Sequence, residues 1–182
     1  MEINVGDIVV HPHHGPATVT EIVNRKMRGV PTTYVCLDVQ ESNLSVQVPV
    51  SSLAEVGIRE LADGDELARL VEILRAPTSS QSTNWSRRFK EDMDRARTGD
   101  LFIIAALVRD LTRRQHSNGL SLGERDLLND VRKPLLTEIR LTTDSEGQSG
   151  ADGAAVLEAI ILGGELPPNL AASLGDGMER TA

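Results

Sequence analysis

Aromatic residues are nearly absent from this chain. One Trp, one Tyr and two Phe account for 2% of its 182 residues, so any core must be aliphatic. Cysteine occurs once, at Cys36, which excludes an intramolecular disulfide and a thiolate metal cluster. Its place in the apolar run Tyr34-Val35-Cys36-Leu37 marks it as a small core residue rather than a reactive thiol. No stretch approaches the roughly 18 apolar residues of a membrane span. The polar start Met1-Glu2-Ile3-Asn4 lacks the charged-then-apolar order of a secretion signal. A cytoplasmic protein with no membrane association is expected. A P-loop, a G-x-G-x-x-G fingerprint and a G-x-S-x-G elbow are all missing. With no activated nucleophile or carboxylate pair apparent, neither an enzyme nor a cofactor is expected.

Positive charge is also scarce, with 19 Lys and Arg against 27 Asp and Glu and a formal net charge of −8. The distribution is more informative than the sum. Residues 1–75 carry 6 cations and 11 acids, net −5; residues 76–141 carry 12 and 9, net +3; residues 142–182 carry 1 and 7, net −6. A segment at +3 neutralises few phosphates and binds a polyanion weakly by itself. If it touches DNA, something else must bring it there.

The length fits one domain or two small ones. Residues 1–60 read as β. Ile8-Val9-Val10, Ala17 to Val23, Tyr34 to Val39 and Leu44 to Val50 are short alternating runs, and Met27-Arg28-Gly29 fits a hairpin loop. Val56-Gly57-Ile58-Arg59 reads as a last edge strand. Strands this short and close predict a small, strongly bent antiparallel barrel. From residue 61 to 141 the period becomes helical. Asp63 with Glu66 and Ser121 with Glu124 form capping boxes. Leu67, Leu70, Val71 and Leu74 make one stripe; Leu101, Ile104, Ala105, Val108 and Leu111 a second; Leu127, Leu128, Val131, Leu135 and Ile139 a third. Ala76 to Ser82 reads as a loop, a helix spans about Asn84 to Ala96, and Pro134 predicts a kink or split in the last helix. A helical bundle follows. Residues 142–182 read as a mostly disordered acidic tail, with one short helix possible over Ala154 to Leu162.

Three clusters carry chemistry. His11-Pro12-His13-His14 offers imidazoles to Zn²⁺ or Cu²⁺, but no adjacent Cys, Asp or Glu completes a tetrahedral set. Pro12, Gly15 and Pro16 already account for a turn, and no metal is expected. Arg25-Lys26-Met27-Arg28 is a basic patch that fits either a solvated hairpin tip or a dock for an acidic protein surface. Thr83-Asn84-Trp85-Ser86-Arg87-Arg88-Phe89-Lys90 holds the lone Trp among three cations. Two readings stay open there. Trp85, Phe89 and Met93 recur every four residues, as one buried helical face does. Alternatively the indole presses on a base or wedges a base step while cations meet phosphates. Arg87 with Glu91 and Lys90 with Asp94 are also spaced for ordinary surface pairing.

Several segments taken in order, Val5-Gly6-Asp7-Ile8-Val9-Val10-His11-Pro12-His13-His14-Gly15, Val56-Gly57-Ile58-Arg59, Leu74-Arg75-Ala76-Pro77, Thr83-Asn84-Trp85-Ser86-Arg87-Arg88, Val108-Arg109-Asp110-Leu111 and Leu120-Ser121-x-Gly123-Glu124, resemble the CarD/CdnL family of bacterial transcription regulators over about residues 3–141. The resemblance implies an N-terminal Tudor-like barrel that binds the β subunit of RNA polymerase, a kind of domain also found in the transcription-repair coupling factor. It implies a C-terminal helical domain on promoter DNA at the upstream edge of the transcription bubble, where a tryptophan wedges into the minor groove and stabilises the open complex. Carried onto this chain, Trp85 is the wedge, and Arg87, Arg88, Lys90, Arg114 and Arg125 are flanking phosphate-facing cations. Arg25, Lys26 and Gln47 are the polymerase-facing residues. Gln47 stands where the family often has a second arginine, which predicts weaker or altered docking. The expectation is a monomeric, non-catalytic regulator. The alternative is a protein–protein adaptor whose helical domain does not touch DNA.

Overall fold

Alternating apolar and polar residues make strands in the first third of the chain, and the computed structural model joins them into one antiparallel sheet. The structure describes residues 2–27, 29–40, 42–78, 82–143, 150–166, 168, 170 and 171. Strands β1 (Ile8–His11), β2 (Gly15–Met27), β3 (Val30–Val39), β4 (Ser45–Pro49) and β5 (Arg59–Glu60) lie in the order β4-β3-β2-β1-β5. Met27 pairs directly with Val30, and Gly29 adopts φ +84°, the left-handed backbone a tight hairpin needs. A register shift between Val19 and Glu21 bends β2. The bent sheet surrounds an aliphatic core of Val9, Ala17, Val19, Val35, Leu37 and Val48, closed by Leu53 and Ile58. Cys36 is buried, as its position in β3 predicts.

The segment before β5 differs from the sequence-based expectation. Val56 does not begin an edge strand; it ends a one-turn helix, α1 (Leu53–Val56). Burial of Leu53 draws this turn against the sheet, and Gly57 at φ +87° stops it by donating to the Leu53 and Ala54 carbonyls. Only Arg59 and Glu60 then pair with β1.

The chain divides into two compact units, residues 1–61 and 62–182. The fold is α+β: a small Tudor-like antiparallel β unit, then a helical bundle. The helices are α2 (Gly64–Arg75), α3 (Trp85–Arg97), α4 (Leu101–Ser117), α5 (Leu122–Thr142) and α6 (Gly150–Ile161). Asp63, Asn84, Asp100 and Ser121 cap the first four by accepting backbone N–H groups of their first turns. Leu67, Leu70 and Leu74 of α2, Leu107, Val108 and Leu111 of α4, and Leu127, Leu128 and Leu135 of α5 form one buried cluster.

Of the kink or split expected at Pro134, the split is corrected here. Pro134 neither splits nor ends α5, which continues through it to Thr142. Proline in a helix interior costs about 3 kcal/mol, but Val131 on one side and Leu135 and Thr137 on the other are buried and hold both halves in place. The short helix that the sequence allows over Ala154 to Leu162 is present as α6, which packs on α2, α4 and α5 and buries Leu157, Ile160 and Ile161. Arg113 of α4 fastens it by donating to the Ile161 carbonyl at 3.0 Å and to Ala76 at 2.6 Å, satisfying orphan carbonyls at the ends of α6 and α2. His116 of α4 contacts Glu158 of α6. Residues 144–149, 167, 169 and 172–182 of the expected tail lie outside the described residues. Leu157→Ala should therefore lower stability by about 2–5 kcal/mol, the usual cost of deleting a buried leucine, as read by denaturant unfolding. An unchanged midpoint would mean that α6 is not core.

Candidate nucleic-acid interface

The site is built around a carboxylate that cannot be left alone. Glu124, in the first turn of α5, has a side chain only 3% exposed. A buried carboxylate needs donors at both oxygens. Its Oε1 accepts from Arg88 Nη2 of α3 at 3.2 Å and from Arg114 Nη1 of α4 at 3.1 Å. Its Oε2 accepts the Ser121 N–H at 3.0 Å and the Ser121 hydroxyl at 2.7 Å. The Ser121 oxygen accepts the Glu124 amide in return and also the indole N–H of Trp85, each at 3.3 Å. One donor and two lone pairs are all a hydroxyl has, so Ser121 is saturated. Burial pushes the Glu124 carboxyl up, but the hydrogen bonds from Ser121 and the Arg88 charge together outweigh it and leave the group below its ordinary 4.5.

Trp85 opens α3 immediately after its Asn84 cap and is 50% exposed. Its ring stacks on Phe89 with centroids 5.6 Å apart and planes within 5°. Phe89 and Met93 pack against the core, so the four-residue spacing does mark an inward stripe, but Trp85 stands at its open end. Gly123 explains its own presence: a Cβ there would lie 3.2 Å from Phe89 Cζ. Leu122, beside Ser121, is exposed as well.

The flanking cations separate into two groups. Arg87 is exposed and pairs with Glu91 at 2.9 Å, an i,i+4 contact worth only a few tenths of a kcal/mol. Lys90 and Arg125 are exposed and form no ion pair among the described residues. Asp94, spaced for Lys90, pairs with Arg97 instead. Arg88 and Arg114 are turned inward, 16% and 15% exposed, and both sit on Glu124. Pulling a partner off a buried charge costs about 3–5 kcal/mol, against about 1.5–3 kcal/mol for one charged hydrogen bond gained elsewhere. Within α3, Arg95 is shared by the buried Asp92 of the same helix and the buried Asp110 of α4, each at 3.3 Å. Burial raises the Asp92 carboxyl despite the neighbouring Arg95.

In the β unit, Arg25 donates to Gln47 Oε1 at 2.9 Å, which joins β2 to β4 across β3. Lys26, the next residue on β2, is exposed. His11 is buried beside His14 and His13, with ring centroids 4.5 and 5.9 Å away, and its Nδ1 accepts the His13 N–H. Burial, then the two neighbouring imidazoles, lower it from 6.5 to about 4. No group of three or more His, Cys, Asp or Glu is placed to hold a metal ion among the described residues. No helix among them is long and apolar enough to cross a membrane.

Sequence reasoning found Trp85 and the capping box but not their union through Ser121, nor the two arginines on Glu124. Glu124→Ala should cost about 3–5 kcal/mol by stranding two inward cations, measured by denaturant unfolding. The Glu124 contribution is present above pH 4.5 and is lost as pH falls through the lower folded value. His11 acts in the same pH direction by another route. Its unfolded form takes a proton near 6.5 and its folded form only near 4, so stability falls between those values as pH drops. His11→Asn keeps an acceptor without a titrating proton, and should flatten the thermal-melt profile over that window. An unaltered profile would rule out His11 as its source.

Comparison with known proteins closes the question of family. Residues 3–62 match the model of the CarD-like/TRCF RID domain, and residues 69–152 match that of the CarD C-terminal domain. "Putative transcription factor YdeB" of Bacillus subtilis (strain 168) is 26% identical over 137 residues, covering 75% of this chain and 90% of that protein. The first match overlaps the β unit and the second lies within the helical unit, in the same order, and the chain belongs to the CarD family of transcription regulators.

Proposed function

We propose that this protein holds RNA polymerase and promoter DNA at the same time and lengthens the life of the open complex. The β unit binds the polymerase β subunit through the face bearing Arg25 and Gln47, with Lys26 beside it. The helical unit meets DNA at the upstream edge of the bubble, where Trp85 enters the minor groove. The observation that carries this reading is the half-exposed indole, fixed by Ser121 and backed by Phe89 rather than sunk in the core. Arg87, Lys90 and Arg125 are the exposed cations available to phosphate. Unstacking a base step costs a few kcal/mol, which is least where the duplex is already distorted, so shape rather than sequence is read. The protein favours the open state only by as much as it binds it better than the closed one.

Charge supports a tether. Residues 62–182 hold 15 Lys and Arg against 20 Asp and Glu, net −5. Such a unit does not capture free duplex by bulk electrostatics. Held on polymerase by the β unit, it would act at high effective concentration. The same acidity favours a second reading, a protein–protein adaptor whose helical unit docks another protein.

Open-complex lifetime on a defined promoter with cognate polymerase separates the two. Wild type should lengthen it. Trp85→Ala should remove about 5- to 150-fold of the effect, the equivalent of the roughly 1–3 kcal/mol of one aromatic stacked on a base. Arg25→Glu should lose it by undocking. A lifetime indifferent to Trp85→Ala, with polymerase binding intact, would establish the adaptor instead.

A further inference from the structure

We infer that Arg88 and Arg114 act on DNA indirectly: they are positioning residues that aim Trp85 through Glu124 and Ser121, not phosphate ligands. The inference rests on the reading of Trp85 as a DNA contact. Cations beside a DNA-facing tryptophan suggest phosphate contacts, and in sequence these two are indistinguishable from Arg87, Lys90 and Arg125.

The geometry distinguishes them. Arg88 uses Nε and Nη2 on Glu124 Oε1, at 3.4 and 3.2 Å, and Nη1 on the Ser82 carbonyl at 3.2 Å. Arg114 Nη1 meets the same Oε1 at 3.1 Å. Three helices therefore converge on one oxygen: α3 through Arg88, α4 through Arg114, and α5, which owns Glu124. The other oxygen fixes Ser121, and Ser121 fixes the indole nitrogen at 3.3 Å. The two cations thus set where the start of α3 lies against the start of α5, and with it the tilt of Trp85. A guanidinium leaving for a phosphate would strand Glu124, which is almost wholly buried, and loosen the ring that the phosphate contact is supposed to assist.

The two roles predict opposite signs for one substitution. Glu124→Gln removes the charge that holds both arginines. If they are phosphate ligands in waiting, this frees them: binding to a fork-junction promoter DNA in complex with polymerase tightens, and the salt dependence steepens by about one unit per added contact. If they position Trp85, binding weakens, the salt slope stays at the wild-type value, and the near-UV circular dichroism of the lone tryptophan in the free protein diminishes. Ser121→Ala, which leaves every charge in place, decides the matter where Glu124→Gln fails to fold. It should weaken binding several-fold at unchanged slope and alter the tryptophan signal, and Ser121→Thr should restore both. Lys90→Ala provides the contrast: a slope lower by about one with an unaltered tryptophan signal. Tighter binding and a steeper slope in Glu124→Gln, or an inert Ser121→Ala, would overturn the assignment. Trp85→Ala runs alongside. If it leaves binding unchanged, the DNA-contact reading itself fails; if it weakens binding while Ser121→Ala does not, only the positioning role fails.

Discussion

A single buried carboxylate organises the helical unit. Glu124 is desolvated, and desolvation makes an unpaired charge intolerable, so every donor around it is under obligation. Those donors come from α3, α4 and the start of α5, which converts a local need for hydrogen bonds into a fixed arrangement of three helices. The exposed tryptophan is the outermost member of that chain of contacts. A large aromatic ring at a helix start would ordinarily sink or swing. Here Ser121 holds its nitrogen and Phe89 backs its face, leaving the free edge for a partner.

Order of this kind matters energetically because binding penalises freedom. A side chain that must be immobilised on contact loses part of what the contact gains. On the proposed reading, a ring already fixed by Ser121 and Phe89 would enter a base step with most of that loss removed in advance. The same logic assigns different work to cations that look alike. Arg87, Lys90 and Arg125 lie in solvent, where their charge is available and cheap to redirect, whereas Arg88 and Arg114 are bound to a group that cannot release them without loss.

Much of this was legible in the sequence, and the limits are physical. Strand alternation, the capping boxes at Asp63–Glu66 and Ser121–Glu124, and the three aliphatic stripes are local signals, and the structure contains each. The failures were cases where tertiary contacts overrode local rules. Pro134 signals a break, but packing on both sides of it keeps α5 whole. The short helix over Ala154 to Leu162 was legible, but composition alone does not show that Leu157, Ile160 and Ile161 find a core to enter. Val56 alternates like a strand residue, but the burial of Leu53 and the left-handed Gly57 make a helical turn. The role of Glu124 was out of reach for a different reason. Its partners lie 36 and 10 residues away, at no fixed helical spacing, and only folding brings them to one oxygen. Gly123 was a signal in plain view: a glycine inside a capped helix start, where it costs helix stability, points to a neighbour needing the space.

The central claim is that the ring held by this network enters promoter DNA at the upstream edge of the bubble. Placing 2-aminopurine at successive positions along that edge and following its emission in polymerase complexes tests it most directly, since the probe responds to its own unstacking. The account predicts a change on adding the wild-type protein, confined to one or two adjacent positions and absent with Trp85→Ala. Emission that is the same at every position with wild type, with Trp85→Ala and with no protein added would contradict it.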